Sequence, residues 1–168
     1  MLDEDQSIRN HPAVRRVAEA LRAAGHSGEV TVMSKATHTA AQAAAALGCA
    51  VEQIAKSVVF RADDGRTVLV IASGANRVDT RKVEALVGRA IGKADAEFVK
   101  RNTGFSIGGV APLAHLTAPL VLFDRDLVNH DRIWPAAGHP NTMFCIAPAD
   151  LLGIVGATPA DVALDPEA

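Results

Sequence analysis

The run Lys56-Ser57-Val58-Val59-Phe60-Arg61, then Asp63-Asp64-Gly65-Arg66, then Thr67-Val68-Leu69-Val70-Ile71-Ala72 constrains the fold of this chain more than any other stretch. Two runs rich in β-branched residues around a polar, glycine-bearing turn predict a β-hairpin whose turn is slightly longer than the two-residue type. A hairpin with one wet face alternates apolar and polar side chains. These strands are instead apolar over most of their length, so they belong at the centre of a sheet covered on both faces. The remaining elements must therefore supply two apolar coats. A chain of 168 residues is long enough to do so as one domain.

Helical spacing of Val14, Val17, Ala18 and Leu21, with Pro12 in the first turn and Gly25 as a stop, predicts a helix over 11–24. Glu29 to Met33 alternates as a strand. Thr39-Ala40-Ala41-Gln42 is a capping box that opens an alanine-rich helix ending at Gly48, and a short helix over 51–55 follows. Asp79 caps a helix over 80–87, and another spans about 95–101 ahead of Gly104. Later strands are expected over 120–124, 132–135 and 142–147. Helices are expected to start at Pro148 and near Thr158, and residues 166–168 form a loose tail. The order mixes hairpins and helices, so the expectation is a single α/β domain over 1–168 with a mixed sheet and flanking helices. The N-terminal helical segment 1–28 and the tail 160–168 are placed at its periphery.

Composition narrows the function classes. A net charge of −2 excludes a generally basic nucleic-acid binder, and zero Tyr with one Trp leaves little for stacking along a single strand. A nucleic-acid footprint, if there is one, is small, and DNA is not an expected partner. No apolar run approaches the ~20 residues that span a bilayer. The acidic start Met1-Leu2-Asp3-Glu4-Asp5-Gln6 is not a secretory signal. Cys49 and Cys145 form no C-x-x-C motif, and a pair of reduced thiols in the cytoplasm fits them better than a disulfide. The six histidines show no metal-ligand spacing, so no metal and no cofactor are expected. G-x-S-x-G, P-loop and G-x-G-x-x-G motifs are absent, and no covalent nucleophile stands out.

Four places could carry chemistry. Thr103-Gly104-Phe105-Ser106-Ile107-Gly108-Gly109-Val110-Ala111-Pro112 is bare at its glycines and stiff at Pro112. It suits either a loop gripping a small polar group with backbone N–H donors or a strand ending in a turn. Lys56, at the entrance of an apolar strand, could hold a phosphate or carboxylate, or could snorkel to solvent from a strand end. In Gly74-Ala75-Asn76-Arg77-Val78-Asp79, Asn76 and Arg77 could meet a ligand, while turn and capping duties account for Asn76 and Asp79 equally well. In Gly138-His139-Pro140-Asn141-Thr142, His139 could act as a base or orient a hydroxyl and Asn141 could bond a ribose or amide; the alternative is a decorated turn.

Thr37-His38-Thr39-Ala40-Ala41-Gln42-Ala43-Ala44, Gln53-Ile54-Ala55-Lys56-Ser57-Val58-Val59-Phe60, the 103–112 loop and Gly138-His139-Pro140-Asn141-Thr142 together resemble the YbaK/EbsC family, in family order over about residues 30–155. These are free-standing aminoacyl-tRNA deacylases related to the editing domain inserted in bacterial prolyl-tRNA synthetases. The resemblance implies a strongly curved mixed sheet enclosing a pocket, with hydrolysis there of the ester joining a wrong amino acid to the terminal adenosine of a tRNA, usually that for proline. It implies that Lys56 holds the terminal adenosine or its phosphate, and that Gly108, Gly109 and Pro112 form the loop receiving the aminoacyl carbonyl and ribose. It places His139 near the aminoacyl group. Ser106, Asn76 and Asn141 are further candidates for the pocket lining. The implied partners are the acceptor end of an aminoacyl-tRNA and prolyl-tRNA synthetase, and the implied attack is assisted by the substrate rather than by a protein nucleophile. Met33, Val58, Phe60 and Ile71 would form a wall favouring a small side chain. A non-catalytic binder of a nucleotide or aminoacyl-adenylate with the same pocket is the alternative.

Overall fold

In the computed structural model, which describes residues 3–34 and 39–166, the hairpin lies at the heart of the molecule. Its strands are β2 (Ile54–Ala62) and β3 (Thr67–Ser73), paired antiparallel from Ala55↔Ser73 to Arg61↔Thr67. On the far side of β3 runs β5 (Leu120–Asp124), parallel to it with Ile71 opposite Phe123. On the far side of β2 stands β4 (Ile91–Lys93), and β8 (Pro159–Ala160) closes the other edge against β5. The sheet order is therefore β4-β2-β3-β5-β8, a mixed sheet, with β6 (Trp134–Pro135) added parallel to the start of β2. A separate two-stranded ribbon pairs β1 (Thr31–Val32) with β7 (Thr142–Met143).

The two coats are present, and strand alternation explains them. Every residue of β3 is buried. Leu69 and Ile71 face the larger cluster, which contains Phe105, Phe123, Phe144 and Leu127, whereas Val68, Val70 and Ala72 face a smaller one with Val83 and Val162. Successive side chains of a strand point to opposite faces, so a strand serving two cores must be apolar throughout.

Helices flank the sheet: α1 (Glu4–Arg9), α2 (Pro12–Ala23), α3 (Ala40–Leu47), α4 (Thr80–Val87), α5 (Ala96–Thr103) and α6 (Pro148–Val155). Their ends follow local chemistry. Thr39 and Gln42 make the reciprocal capping box, Asp79 and Asp95 cap α4 and α5, and Gly48, Gly88, Gly104 and Gly156 close helices in the left-handed conformation. Residues 1–28 and 160–168 take part in the packing where they are described. Val14, Val17 and Leu21 of α2 enter the larger cluster, and Val162 enters the smaller one. Lys82 Nζ bonds Asp161, the Ala163 carbonyl and Asp165, tying the tail to α4.

Several elements depart from expectation for tertiary reasons. The helix expected near Thr158 is the strand β8, because Phe123 and Asp124 of β5 offer it an open edge to pair with. The short helix expected over 51–55 is a 3-10 helix of Val51–Gln53 only, since Ile54 is drawn into pairing with Trp134. The strands expected over 29–33, 132–135 and 142–147 shrink to two-residue pairings. Helix α1 and strand β4 were not anticipated.

Candidate functional site

The site grows from an interruption in the sheet. Along its outer edge β2 pairs with β6 only at Ile54 and Ala55 and with β4 only from Phe60 to Ala62, so residues 56–59 have no strand on that side among the described residues. Gly108 and Val110 of the long α5–β5 loop line both hollows that open at this edge. The first, of about 230 Å³, is lined by Thr39, Ala40 and Ala43 of the α3 end, Lys56 and Ser57 of β2, Gly108 and Val110, and Pro140, Thr142 and Met143. That is below the ~300–1,000 Å³ of sites enclosing drug-sized ligands, which suits a small group. The second, of about 600 Å³, runs beneath Ser57 to Phe60 toward Thr80, Glu84, Lys93 and Ile107.

Lys56 reaches the first hollow half-buried, and its side chain makes no hydrogen bond or ion pair with any described residue. Burial lowers its pKa from the usual lysine range, Arg77 lowers it further, and Asp124 pulls the other way. Asp124 is a buried carboxylate two strands away: Lys56 is opposite Ala72, and the β3–β5 ladder brings Asp124 level with it. No sequence motif marked Asp124, although strand alternation could have found it once β5 was known to lie beside β3.

The glycine loop is built on a turn in which Gly109 N–H donates to the Ser106 carbonyl at 3.0 Å. Gly109 N–H is therefore committed. Gly108 N–H and Val110 N–H have no partner among the described residues, and both residues line the hollow. Gly108 has φ +95°, a conformation that favours glycine. Gly109 is required for another reason: a Cβ there would lie 2.9 Å from the His139 backbone, so the loop and the 138–142 turn touch through bare main chain.

That turn is tightly bonded. His139 N–H donates to Thr142 Oγ1 at 3.1 Å, and Asn141 N–H donates to His139 Nδ1 at 3.1 Å, which leaves the neutral ring's proton on Nε2. Burial lowers the His139 pKa, helped by the His11 ring 5.6 Å away, which favours the neutral imidazole. The Asn141 carbonyl accepts from Met33 N–H at 2.7 Å.

The structure thus brings Lys56, Gly108, Gly109 and the His139 turn together. It does not bring the remaining candidates to the hollow. Asn76 Nδ2 bridges Asp124 and Asp126, each at 2.8 Å, and lines a separate cleft at the end of β3. Pro112 is buried and faces a different depression with His115. Ser106 is exposed and its carbonyl closes the glycine turn, while Asn141 serves the β1–β7 ribbon. Of the expected wall, Val58 and Phe60 line the second hollow, whereas Met33 and Ile71 are buried core residues outside both. The segment Thr37-His38 lies outside the described residues. Ser57 was missed, because a serine in an apolar strand reads as filler until the missing neighbour strand is seen. Among the described residues no group of three His, Cys, Asp or Glu side chains is set to hold a metal ion. Cys49 and Cys145 are free, and burial raises the Cys49 pKa.

A curved mixed sheet with a small hollow at a break in its edge defines a small α/β protein with a candidate ligand site at that break. Residues 34–154 match the model of the aminoacyl-tRNA editing domain, and the chain belongs to that family. A crystal structure of a candidate trans-editing enzyme for prolyl-tRNA synthetase superposes with TM-score 0.87 at 39% identity, covering 92% of this chain and 99% of that one. The hypothetical protein APE2540 superposes with TM-score 0.82 at 30% identity, over 89% of this chain and 99% of that one. The uncharacterised YwhH of Bacillus subtilis (strain 168) is 30% identical over 123 residues, 73% of this chain and 78% of that protein. The family and the superposition together assign the chain to tRNA editing. No helix among the described residues is long and apolar enough to cross a membrane.

Proposed function

We propose that the chain is a free-standing deacylase that hydrolyses the ester of a mischarged tRNA, acting in the cytoplasm beside prolyl-tRNA synthetase on tRNA for proline carrying a small wrong amino acid. The observation that carries this reading is that one hollow of about 230 Å³ is lined by Lys56, Gly108 and Val110, whose ammonium and main-chain N–H groups have no partner among the described residues. A cation and backbone donors side by side suit a phosphate and an ester carbonyl joined by one ribose.

An aminoacyl ester is already activated, so the chemistry needs no covalent enzyme intermediate. Water attacks the carbonyl carbon with help from the vicinal ribose hydroxyl. The C–O bond to the ribose then breaks, and the proton passes to the leaving oxygen. Holding ester and water in near-attack geometry supplies several kcal/mol. A backbone donor aimed at the developing oxyanion adds about 3–4 kcal/mol. Because Gly109 N–H is committed to Ser106, Gly108 and Val110 are the donors available for this role. Lys56 anchors the terminal nucleotide, and His139 borders the aminoacyl end.

The test is a deacylation screen with tRNA for proline carrying alanine, serine, threonine, cysteine or 2-aminobutyrate. One or two of these are hydrolysed well above the spontaneous rate. Lys56→Ala loses a charge-assisted contact of about 1.5–3 kcal/mol, or roughly 10- to 100-fold in kcat/KM, with the unfolding midpoint kept. No hydrolysis of any substrate, with saturable adenosine binding, would favour a non-catalytic nucleotide binder instead.

A further inference from the structure

Ser57 stands at the interruption in β2 and is shared by both hollows. The Ala62 N–H bond to the Arg66 carbonyl and the Gly74 N–H bond to the Ile54 carbonyl fix the phase of the β2–β3 ladder. Even-numbered residues of β2 direct their N–H and C=O toward β3, and odd-numbered residues direct theirs outward. Outward groups of Ala55 meet β6 and those of Arg61 meet β4. Ser57 falls between them, so its N–H and C=O face the gap without a strand partner. Its Oγ is shielded from solvent and has no hydrogen-bond partner among the described residues. Three polar groups of one residue thus lack a partner among the described residues at the same point, beside Gly108, and the hydroxyl is buried. Buried polar groups are rarely left so unless something else completes them.

We infer that Ser57 is a substrate-binding residue, whose main-chain carbonyl and hydroxyl receive the α-ammonium group of the aminoacyl ester. This rests on the deacylase reading above. An aminoacyl α-carbon carries a carbonyl, an ammonium and a side chain in three directions. With the carbonyl against the N–H groups of Gly108 and Val110, the ammonium falls toward the strand edge that Ser57 presents. A carbonyl and a hydroxyl oxygen are acceptors for a cationic donor, and charge-assisted bonds of this kind are the stronger ones. The enzyme would then read the free amino group as well as the size of the side chain.

Alanyl-tRNA and lactyl-tRNA, made from it by nitrous acid deamination, differ only in an ammonium replaced by a hydroxyl. The measured quantity is the enzymatic rate enhancement over each ester's own spontaneous hydrolysis, because the two esters differ in lability. Seryl- and glyceryl-tRNA replace the pair if serine is the better substrate. The enhancement for the deaminated ester is expected to be at least tenfold lower. Ser57→Ala should lower the enhancement for the amino ester by about tenfold and for the hydroxy ester by much less, and Ser57→Thr, which keeps the hydroxyl, should recover most of it. Equal enhancement of the two esters by the wild-type protein overturns the inference while leaving the deacylase reading intact. Absence of any enhancement on the whole panel overturns the deacylase reading itself. If Ser57→Ala does not fold, the wild-type comparison alone decides.

Discussion

Arg16 is the residue through which the N-terminal helix controls the glycine loop, and its removal gives a quantitative test. From α2 its Nε donates to the Ala114 carbonyl at 2.9 Å and its Nη2 to the Thr103 carbonyl at 3.2 Å, clasping both ends of the 103–114 segment. The guanidinium also lies 4.6 Å over the Phe105 ring and against bare Gly104. Hydrogen bonds from a charged donor contribute about 1.5–3 kcal/mol each, and a partly buried cation–π contact about 0.5–2. Against this, Ala114 is held at φ +63°, a left-handed conformation costing a non-glycine residue about 1–2 kcal/mol that is released when the clasp opens. Both bonds are only part-buried and lie near the low end of that range, so Arg16→Ala should lose about 2–3 kcal/mol. For a domain of this length that lowers Tm by roughly 4–12 °C. Arg16→Lys should recover less than half, because an ammonium cannot reproduce a planar fork and ring stacking together. Thermal unfolding followed by circular dichroism gives the first quantity, and hydrogen exchange of the 103–115 amides shows whether the loop loosens. A Tm shift below 2 °C with unchanged exchange in that loop would refute the clasp.

Gly109→Ala and Gly108→Ala should both lower activity, the first because a Cβ at 109 meets the rigid His139 backbone at 2.9 Å, the second because φ +95° strains a side chain even though a Cβ there meets only Pro140 Cγ at 3.7 Å. Both should be measured as kcat/KM beside Tm, and a Gly109→Ala protein with wild-type kcat/KM counts against the contact between loop and turn. Burial holds His115 and His139 below the ordinary imidazole value of about 6.5; Arg16 adds to this for His115, against a bond to the Ala111 carbonyl, and His11 adds to it for His139. Below pH 6.5 the unfolded chain binds more protons than the folded one, so stability is level above that pH and falls as pH drops through the folded values. Urea midpoints at pH 7.5, 6.5 and 5.5 should show this, with a shallower fall in His139→Asn; a midpoint that rises on acidification contradicts it.

Helix caps were legible because they are local. Thr39 with Gln42 and Asp79 find their partners within three residues, and a glycine after a helix acts through its own φ. The hairpin was legible because a strand serving two cores has one composition. The 158–161 segment misled for the opposite reason: Pro159 after a threonine looks like a helix start, but the edge of β5 was available, and Pro tolerates an edge strand. Among site candidates, Lys56 and Gly108 were readable as odd residues in apolar company. Asn76 was equally odd, yet it satisfies two aspartates brought near by β5.

By itself the sequence determined the doubly coated hairpin, the capped helices and the family to which the 34–154 region belongs, since each depends on composition or on short spacing. Only the tertiary structure decided that β6 stops at Pro135 and β4 at Lys93, leaving residues 56–59 of β2 without a described strand on their outer edge. That interruption makes a site of Lys56, Ser57 and the glycine loop, because a hydrogen bond that a strand fails to receive is visible only when the strand beside it is known to be missing.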